Sequence, residues 1–290
     1  MAEKKVIKGP IKSLNIRELS KDIKIIGDVV DSSIFSINNI EIYGNVLNSK
    51  IVSNSARISI IGKVIKSEIK GFSLVKIFAA ENSIIESTFS SCRIENYLYN
   101  STVKAFSIIE NQKGNIIKSE LISGMEINLY NVGKAGKNSN SNLKVIKKNS
   151  NNIFEVVFVH KQKINDLEIK LKELERYIKV LTIIKEKIET LPDDKRKEIK
   201  NKIEEYKKTK EYLSFIKEET RRLLISDPEE IKYNRVIIVN NLLYPPAKIT
   251  IDGKETEINE ELKQVAFYNS GIIIKGEVNK VYNKRKTIRI

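Results

Sequence analysis

Ile23-Lys24-Ile25-Ile26-Gly27-Asp28-Val29-Val30-Asp31-Ser32-Ser33-Ile34 is followed by two stretches of the same design. They are Ile40-Glu41-Ile42-Tyr43-Gly44-Asn45-Val46-Leu47-Asn48-Ser49-Lys50-Ile51 and Ile58-Ser59-Ile60-Ile61-Gly62-Lys63-Val64-Ile65-Lys66-Ser67-Glu68-Ile69. Gly114-Asn115-Ile116-Ile117-Lys118-Ser119-Glu120-Leu121 keeps the same Gly-to-Ser spacing of five. Ile84–Phe89 and Leu98–Val103 lack the glycine but keep Ser87 or Ser101 with an apolar residue two places on. Taking Ile34, Ile51, Ile69, Phe89, Val103 and Leu121 as equivalent gives steps of 17, 18, 20, 14 and 18.

Apolar residues alternate within each unit, switch register at the glycine, and alternate again, which is the pattern of short strands joined by corners. A unit this short cannot bury an apolar face alone. Stacked as a single-stranded parallel β-helix, each coil pairs its strands with the coils on either side and aligns the isoleucines in an interior column. Gly27, Gly44 and Gly62 are expected at corners that need positive φ or close approach. The serines are expected to form a structural ladder or to be small interior residues.

From His160 the period changes. Ile164, Leu167, Leu171, Leu174, Ile178, Leu181, Ile184 and Ile188 form an a/d seam, interrupted at Leu191-Pro192-Asp193-Asp194. A second seam takes Ile199, Ile203, Tyr206, Leu213, Ile216 and Leu223, and ends near Ser226-Asp227-Pro228. This predicts an antiparallel coiled-coil hairpin. Strands then return at Arg235–Val239, Ala247–Ile251 and Gly271–Lys275, with a turn at Asp252-Gly253 and a stiff corner at Tyr244-Pro245-Pro246. The fold class is therefore mainly β with an α-helical insertion. The expected divisions are an N-terminal segment at 1–22, β-helix repeats at 23–158, the hairpin at 159–227 and a closing β segment at 231–290.

The 290-residue chain carries 52 Lys and Arg against 37 Asp and Glu, one histidine, one cysteine and no tryptophan. Cys92 alone makes no intrachain disulfide, and no Cys/His cluster suits zinc, so a disulfide scaffold and a zinc module are excluded. No apolar run has the length of a signal peptide or of a membrane span of about 18 residues, so a cytoplasmic protein is expected. The charge of +15 is diffuse: +8 over residues 1–158, +2 over 159–230 and +5 over 231–290. A nucleic-acid interface would concentrate it, so nucleic acid is not an expected partner. An acidic protein or an anionic membrane surface fits the same charge.

No catalytic, metal or cofactor residue is expected. His160 is the only imidazole base, and residues 1–159 have none. Asp22, Asp28 and Asp31 are the only aspartates before Asp166 and read as polar surface near the first aligned coil. His160 reads as structural.

The order of these parts resembles the flagellar assembly protein A family. The match runs through the Ile-x-x-Gly-Asp/Asn-Val repeats, Lys113-Gly114-Asn115-Ile116-Ile117, Val132-Gly133-Lys134-Ala135-Gly136, the long hairpin, and Val236–Ile251. Lys118-Ser119 stands where the family has tandem glycines, and Pro246 where it has a glycine after Tyr-Pro. The resemblance implies a right-handed β-helix and a non-enzymatic cytoplasmic scaffold or accessory protein of flagellar assembly or polar organisation, at the inner membrane or cell pole. Its partners would be proteins of that machinery, or a second copy through the hairpin. The alternative is a self-assembling cytoskeletal β-helix of bactofilin type, because unpaired coil ends can stack.

Overall fold

The computed structural model describes residues 4–136, 139–146, 150–183, 192–223, 235–270, 273–279 and 281–282. The chain divides into two compact units, Met1–Lys148 with Asp227–Ile290, and Asn149–Ser226.

The first unit is a parallel β-solenoid of about eight turns. One sheet stacks ten strands, from Asn15–Glu18 at one edge to Lys254–Ile258 at the other. The second sheet carries the remaining faces. Register explains the isoleucines. Ile16, Ile34, Ile51, Ile69, Ile85, Val103, Leu121, Leu143 and Ile249 pair coil to coil in one inner column. Ile25, Ile42, Ile60, Ile77 and Ile94 form another on the facing sheet. Each buried aliphatic side chain contributes about 1.5–3 kcal/mol, so the columns stabilise the stack although no single coil has a core.

The observed register corrects the repeat alignment in one coil. Ile69 pairs with Ile85, not Phe89. The equivalent serine is therefore Ser83 rather than Ser87, and the steps between inner residues become 17, 18, 16, 18 and 18. Phe89 instead packs at a corner between Phe72 and Phe106, with ring centroids 4.5 and 6.5 Å away.

The corners also differ from expectation. Of the three repeat glycines, Gly27 alone has positive φ, at +147°. Gly44 and Gly62 are required for close approach: a Cβ on either would overlap the carbonyl of the glycine one coil below. Left-handed backbone falls instead on the residue before each serine, namely Asp31, Asn48, Lys66, Asn82, Asn100 and Lys118, with φ between 46° and 51°. Asn and Asp tolerate this conformation best, and they hold four of those six places.

The first coil precedes Ile23. Lys4–Lys8 pairs in parallel with Asp22–Ile26, Ile11–Lys12 with Val29–Val30, and Asn15–Glu18 with Ser33–Ser36. At the other end the chain reverses. Val236–Leu243 and Ala247–Ile251 complete the last parallel coil on Glu126–Val132 and Ser141–Val145. Lys254–Ile258, Leu262–Asn269 and Ile273–Glu277 then add antiparallel strands beyond it.

The second unit holds two helices, α1 at Ser150–Ile183 and α2 at Asp193–Leu223. Leu167, Leu171, Leu213 and Ile216 make their shared apolar seam, flanked by Ile164 and Tyr206. Pro192 immediately precedes α2, and Asp193 and Asp194 lie in its first turn, where carboxylates meet the positive end of the helix dipole. Helix α1 begins ten residues before His160, because the buried Val157 continues the seam spacing upstream. Ile203 is 37 % exposed and leaves the predicted seam, whereas Thr209, midway between Tyr206 and Leu213, is buried. The side chains of Leu181, Ile184, Ile188 and Leu223, and the stop at Ser226-Asp227-Pro228, lie outside the described residues, as do Gly271 and Ile272.

Candidate functional site

The three early aspartates do not converge on a site. Asp22 accepts from the backbone and side-chain amides of Asn39, at 3.1 and 3.0 Å. Asp28 accepts from the amide of Asn45 at 2.7 Å, and Asn45 in turn accepts from the amide of Lys63. Asp31 accepts from the Asn48 side chain at 2.6 Å. Asp22 and Asp28 start polar ladders that continue through Asn39 to Arg57 and through Asn45 to Lys63, satisfying corner amides, whereas Asp31 makes a single rung to the Asn48 side chain.

The serines form a hydroxyl ladder. The amides of Leu14, Ser32, Ser49, Ser67, Ser83 and Ser101 donate to Ser32, Ser49, Ser67, Ser83, Ser101 and Ser119 at 3.0–3.2 Å. Each hydroxyl returns its own proton to the carbonyl two residues before it. The ladder leaves no nucleophile facing solvent: Ser32, Ser49, Ser67, Ser83, Ser101 and Ser119 are all buried.

Cys92 occupies an inner-column place between Val75 and Ile109. Burial pushes its thiol far above the ordinary value, so it behaves as a small apolar side chain. His160 is buried in the helical unit, with Nδ1 3.0 Å from Thr220 Oγ1 and Nε2 3.7 Å from a Glu219 carboxylate oxygen. Thr220 gives its only hydroxyl proton to the Ile216 carbonyl at 2.7 Å, so His160 Nδ1–H is the donor to Thr220. The ring is thereby fixed between two side chains of α2, a positioning that suits a structural bond.

What remains is surface. Ion pairs link coils along the outer faces: Lys50 with Glu68, Lys70 with Glu86, Lys76 with Glu95, Arg93 with Glu110, and Lys144 with Glu120. Exposed pairs of this kind are worth at most about 1 kcal/mol each. Burial and the Glu81 carboxylate raise the pKa of Tyr97, whose hydroxyl donates to Glu81.

The two solenoid ends are unlike. Beyond the last coil lies a cavity of about 390 Å³, floored by Ile258, Leu262, Phe267 and Ile273. Lys275 stands above Phe267 in its column and is bound to Glu260 at 2.9 Å, so a polar bridge covers that apolar floor. At the first coil Lys5 heads the Ile23 column and reaches Glu18 at 3.4 Å. The amide and hydroxyl of Ser20, then Lys5, lower the Glu18 pKa to about 2. Beside that bridge the strands Lys4–Lys8 and Asn15–Glu18 have no strand on their outer side among the described residues. Val6, Leu14 and Leu19 are about half exposed there.

Among the described residues no group of His, Cys, Asp and Glu is arranged to hold a metal ion, and no helix is long and apolar enough to cross a membrane. Residues 10–274 match the family model for the flagellar assembly protein A β-solenoid domain. The chain belongs to that family. The match takes in the coils from Ile11–Lys12 onward, the inserted hairpin and the antiparallel strands as far as residue 274; the strand Lys4–Lys8 precedes it. Membership makes this a flagellar-assembly-related protein. No curated protein and no solved structure matches the chain.

Proposed function

We propose that the protein is a non-enzymatic scaffold of flagellar assembly, working in the cytoplasm by holding partner proteins on a rigid β-solenoid. One observation carries this reading: the residues able to do chemistry are engaged in the fold. Asp22 and Asp28 serve ladders, Asp31 holds the Asn48 side chain, Cys92 fills a column, and His160 bridges two helices. A regular stack of coils offers fixed spacing between exposed side chains, which suits docking better than turnover.

The test is genetic. Deleting the gene in its host should reduce the number of flagella seen by electron microscopy, and folded single variants Asp28→Asn, Cys92→Ser and His160→Gln should each restore them. Loss of assembly with a folded Asp28 or His160 variant would point to chemistry and overturn the scaffold reading.

The open strand edges at the first coil favour a second reading, self-assembly by coil stacking. The antiparallel strands argue against extended filaments, because a first coil meeting them head to tail would not continue the parallel coil. Negative-stain images of the purified protein decide between discrete particles and filaments.

A further inference from the structure

We infer that the open edge of the first coil is a docking site for an acidic, extended segment of a partner protein, which adds as one more strand beside Lys4–Lys8. This rests on the scaffold reading and gives it a surface.

A parallel stack leaves a row of unpaired amides and carbonyls at each end unless something covers it. At the far end three antiparallel strands follow the last coil, and their outer edges, Lys254–Ile258 and Ile273–Glu277, carry both signs of charge. At the near end Lys4–Lys8 pairs only with Asp22–Ile26, and Asn15–Glu18 only with Ser33–Ser36, among the described residues. The five-residue edge Lys4–Lys8 is long enough to template a strand.

Charge selects the occupant. Residues 4–21 hold Lys4, Lys5, Lys8, Lys12, Arg17 and Lys21 against the single acid Glu18. On the outward face of the edge, Lys8 and Lys4, the latter 3.4 Å from a Glu41 carboxylate oxygen, flank Val6, which is 49 % exposed. Two copies meeting edge to edge would bring these lysines together, so the charge that keeps the protein from pairing with itself complements acidic residues on a foreign strand. The Lys5–Glu18 bridge across the interior excludes a side chain plugging the end, which leaves addition at the edge.

Fluorescence anisotropy with the full chain and a neutral-dye-labelled heptapeptide of alternating Glu and Val tests this. Binding should weaken at least about tenfold when salt rises from roughly 50 to 500 mM, since exposed charges are then screened. It should weaken comparably in the Lys4→Gln/Lys8→Gln/Lys12→Gln variant, but not in Lys254→Gln/Lys263→Gln at the opposite end. Circular dichroism verifies that both variants fold. An alternating Glu and Pro peptide, equal in charge but poor in amide donors, should bind far more weakly, and an alternating Lys and Val peptide not at all.

Equal binding of the Glu/Pro peptide, equal binding to the triple variant, or no binding at millimolar peptide overturns the proposal. So does sedimentation showing the parent dimerising through this end, which gives the edge to a second copy. If the peptide fails while gene deletion still strips flagella, the docking site is wrong and the scaffold reading stands.

Discussion

Ile60 and Ile61 are neighbours in one strand, yet the first is 2 % exposed and the second 55 %. Ile60→Asp would bury a carboxylate without a partner between Ile42 and Ile77, a cost of several kcal/mol, about 3–5 by analogy with unpaired buried charge. Ile61→Asp should leave thermal melts within a degree or two of the parent. If the two variants melt alike, the inner column is misassigned. Gly62 tests coil spacing in the same strand. Gly62→Ala sets a methyl against the Gly44 backbone and should cost about 1–3 kcal/mol, whereas Gly276→Ala meets only the side chain of Tyr268, which can shift. Urea melts of the two variants make the comparison. Glu18 gives a pH signature. Its folded pKa is lowered to about 2, so the bonds from Ser20 and Lys5 stabilise the first coil above the unfolded carboxylate value, and that contribution is lost as pH falls towards 2. NMR titration should find the Glu18 carboxyl still ionised at pH 3; a midpoint near 4.5 would remove this closure of the first coil.

At the scale of elements, the helical hairpin has a polar layer within its seam. His160, Glu219 and Thr220 are buried together, one turn beyond Ile216. Glu219→Ala removes the carboxylate facing Nε2, leaves His160 held by Thr220, and should destabilise the helices by about 1–3 kcal/mol, while His160→Leu with Glu219→Leu should recover much of that loss. Helical circular dichroism during thermal melts reads both; additive losses would mean the two side chains are not coupled. The heptads made this hairpin legible in sequence. The polar layer was not, because a count of apolar residues passes over Thr209 and Thr220, which hold seam positions between Tyr206 and Leu213 and between Ile216 and Leu223, and over Glu219 beside them. The coils were legible from the isoleucines, yet Ser87 displaced Ser83 in the alignment, since both serines precede an apolar residue by two places and only strand register separates them. The first coil carries a readable signal, the spacing of seven from Gly9 to Ile16 that recurs from Gly27 to Ile34. Leu14 hides it. That position begins the ladder as a donor, and among the described residues no amide donates to its side chain. The open edge escaped for a related reason: sequence periodicity reports what a strand pairs with, and an edge is defined by what it lacks.

For the whole molecule, chain connectivity identifies the hairpin as an insertion at one corner of the last coil. In the coil before it, that corner is crossed by Gly124 and Met125, between strands ending at Ser123 and beginning at Glu126. In the last coil the equivalent strands end at Val145 and begin at Val236, because Val145 pairs with Ser123 and the Val236 amide donates to Met125. The two ends of the insertion are thus held by neighbouring residues of the solenoid, and a link of a few residues suffices to join them. Replacing residues 147–234 with a short Gly/Ser linker should leave every inner column intact, since loop closure entropy changes slowly with length. The truncated chain should keep its β circular dichroism, lose the helical signal, and still bind the acidic peptide at the first coil. If the hairpin is the partner-holding arm, flagella should fail to reappear when this folded truncation replaces the parent in a deletion strain. Full restoration would remove the hairpin from the function and leave the solenoid as the working surface. Global unfolding on truncation would mean that residues of the inserted unit complete the solenoid core.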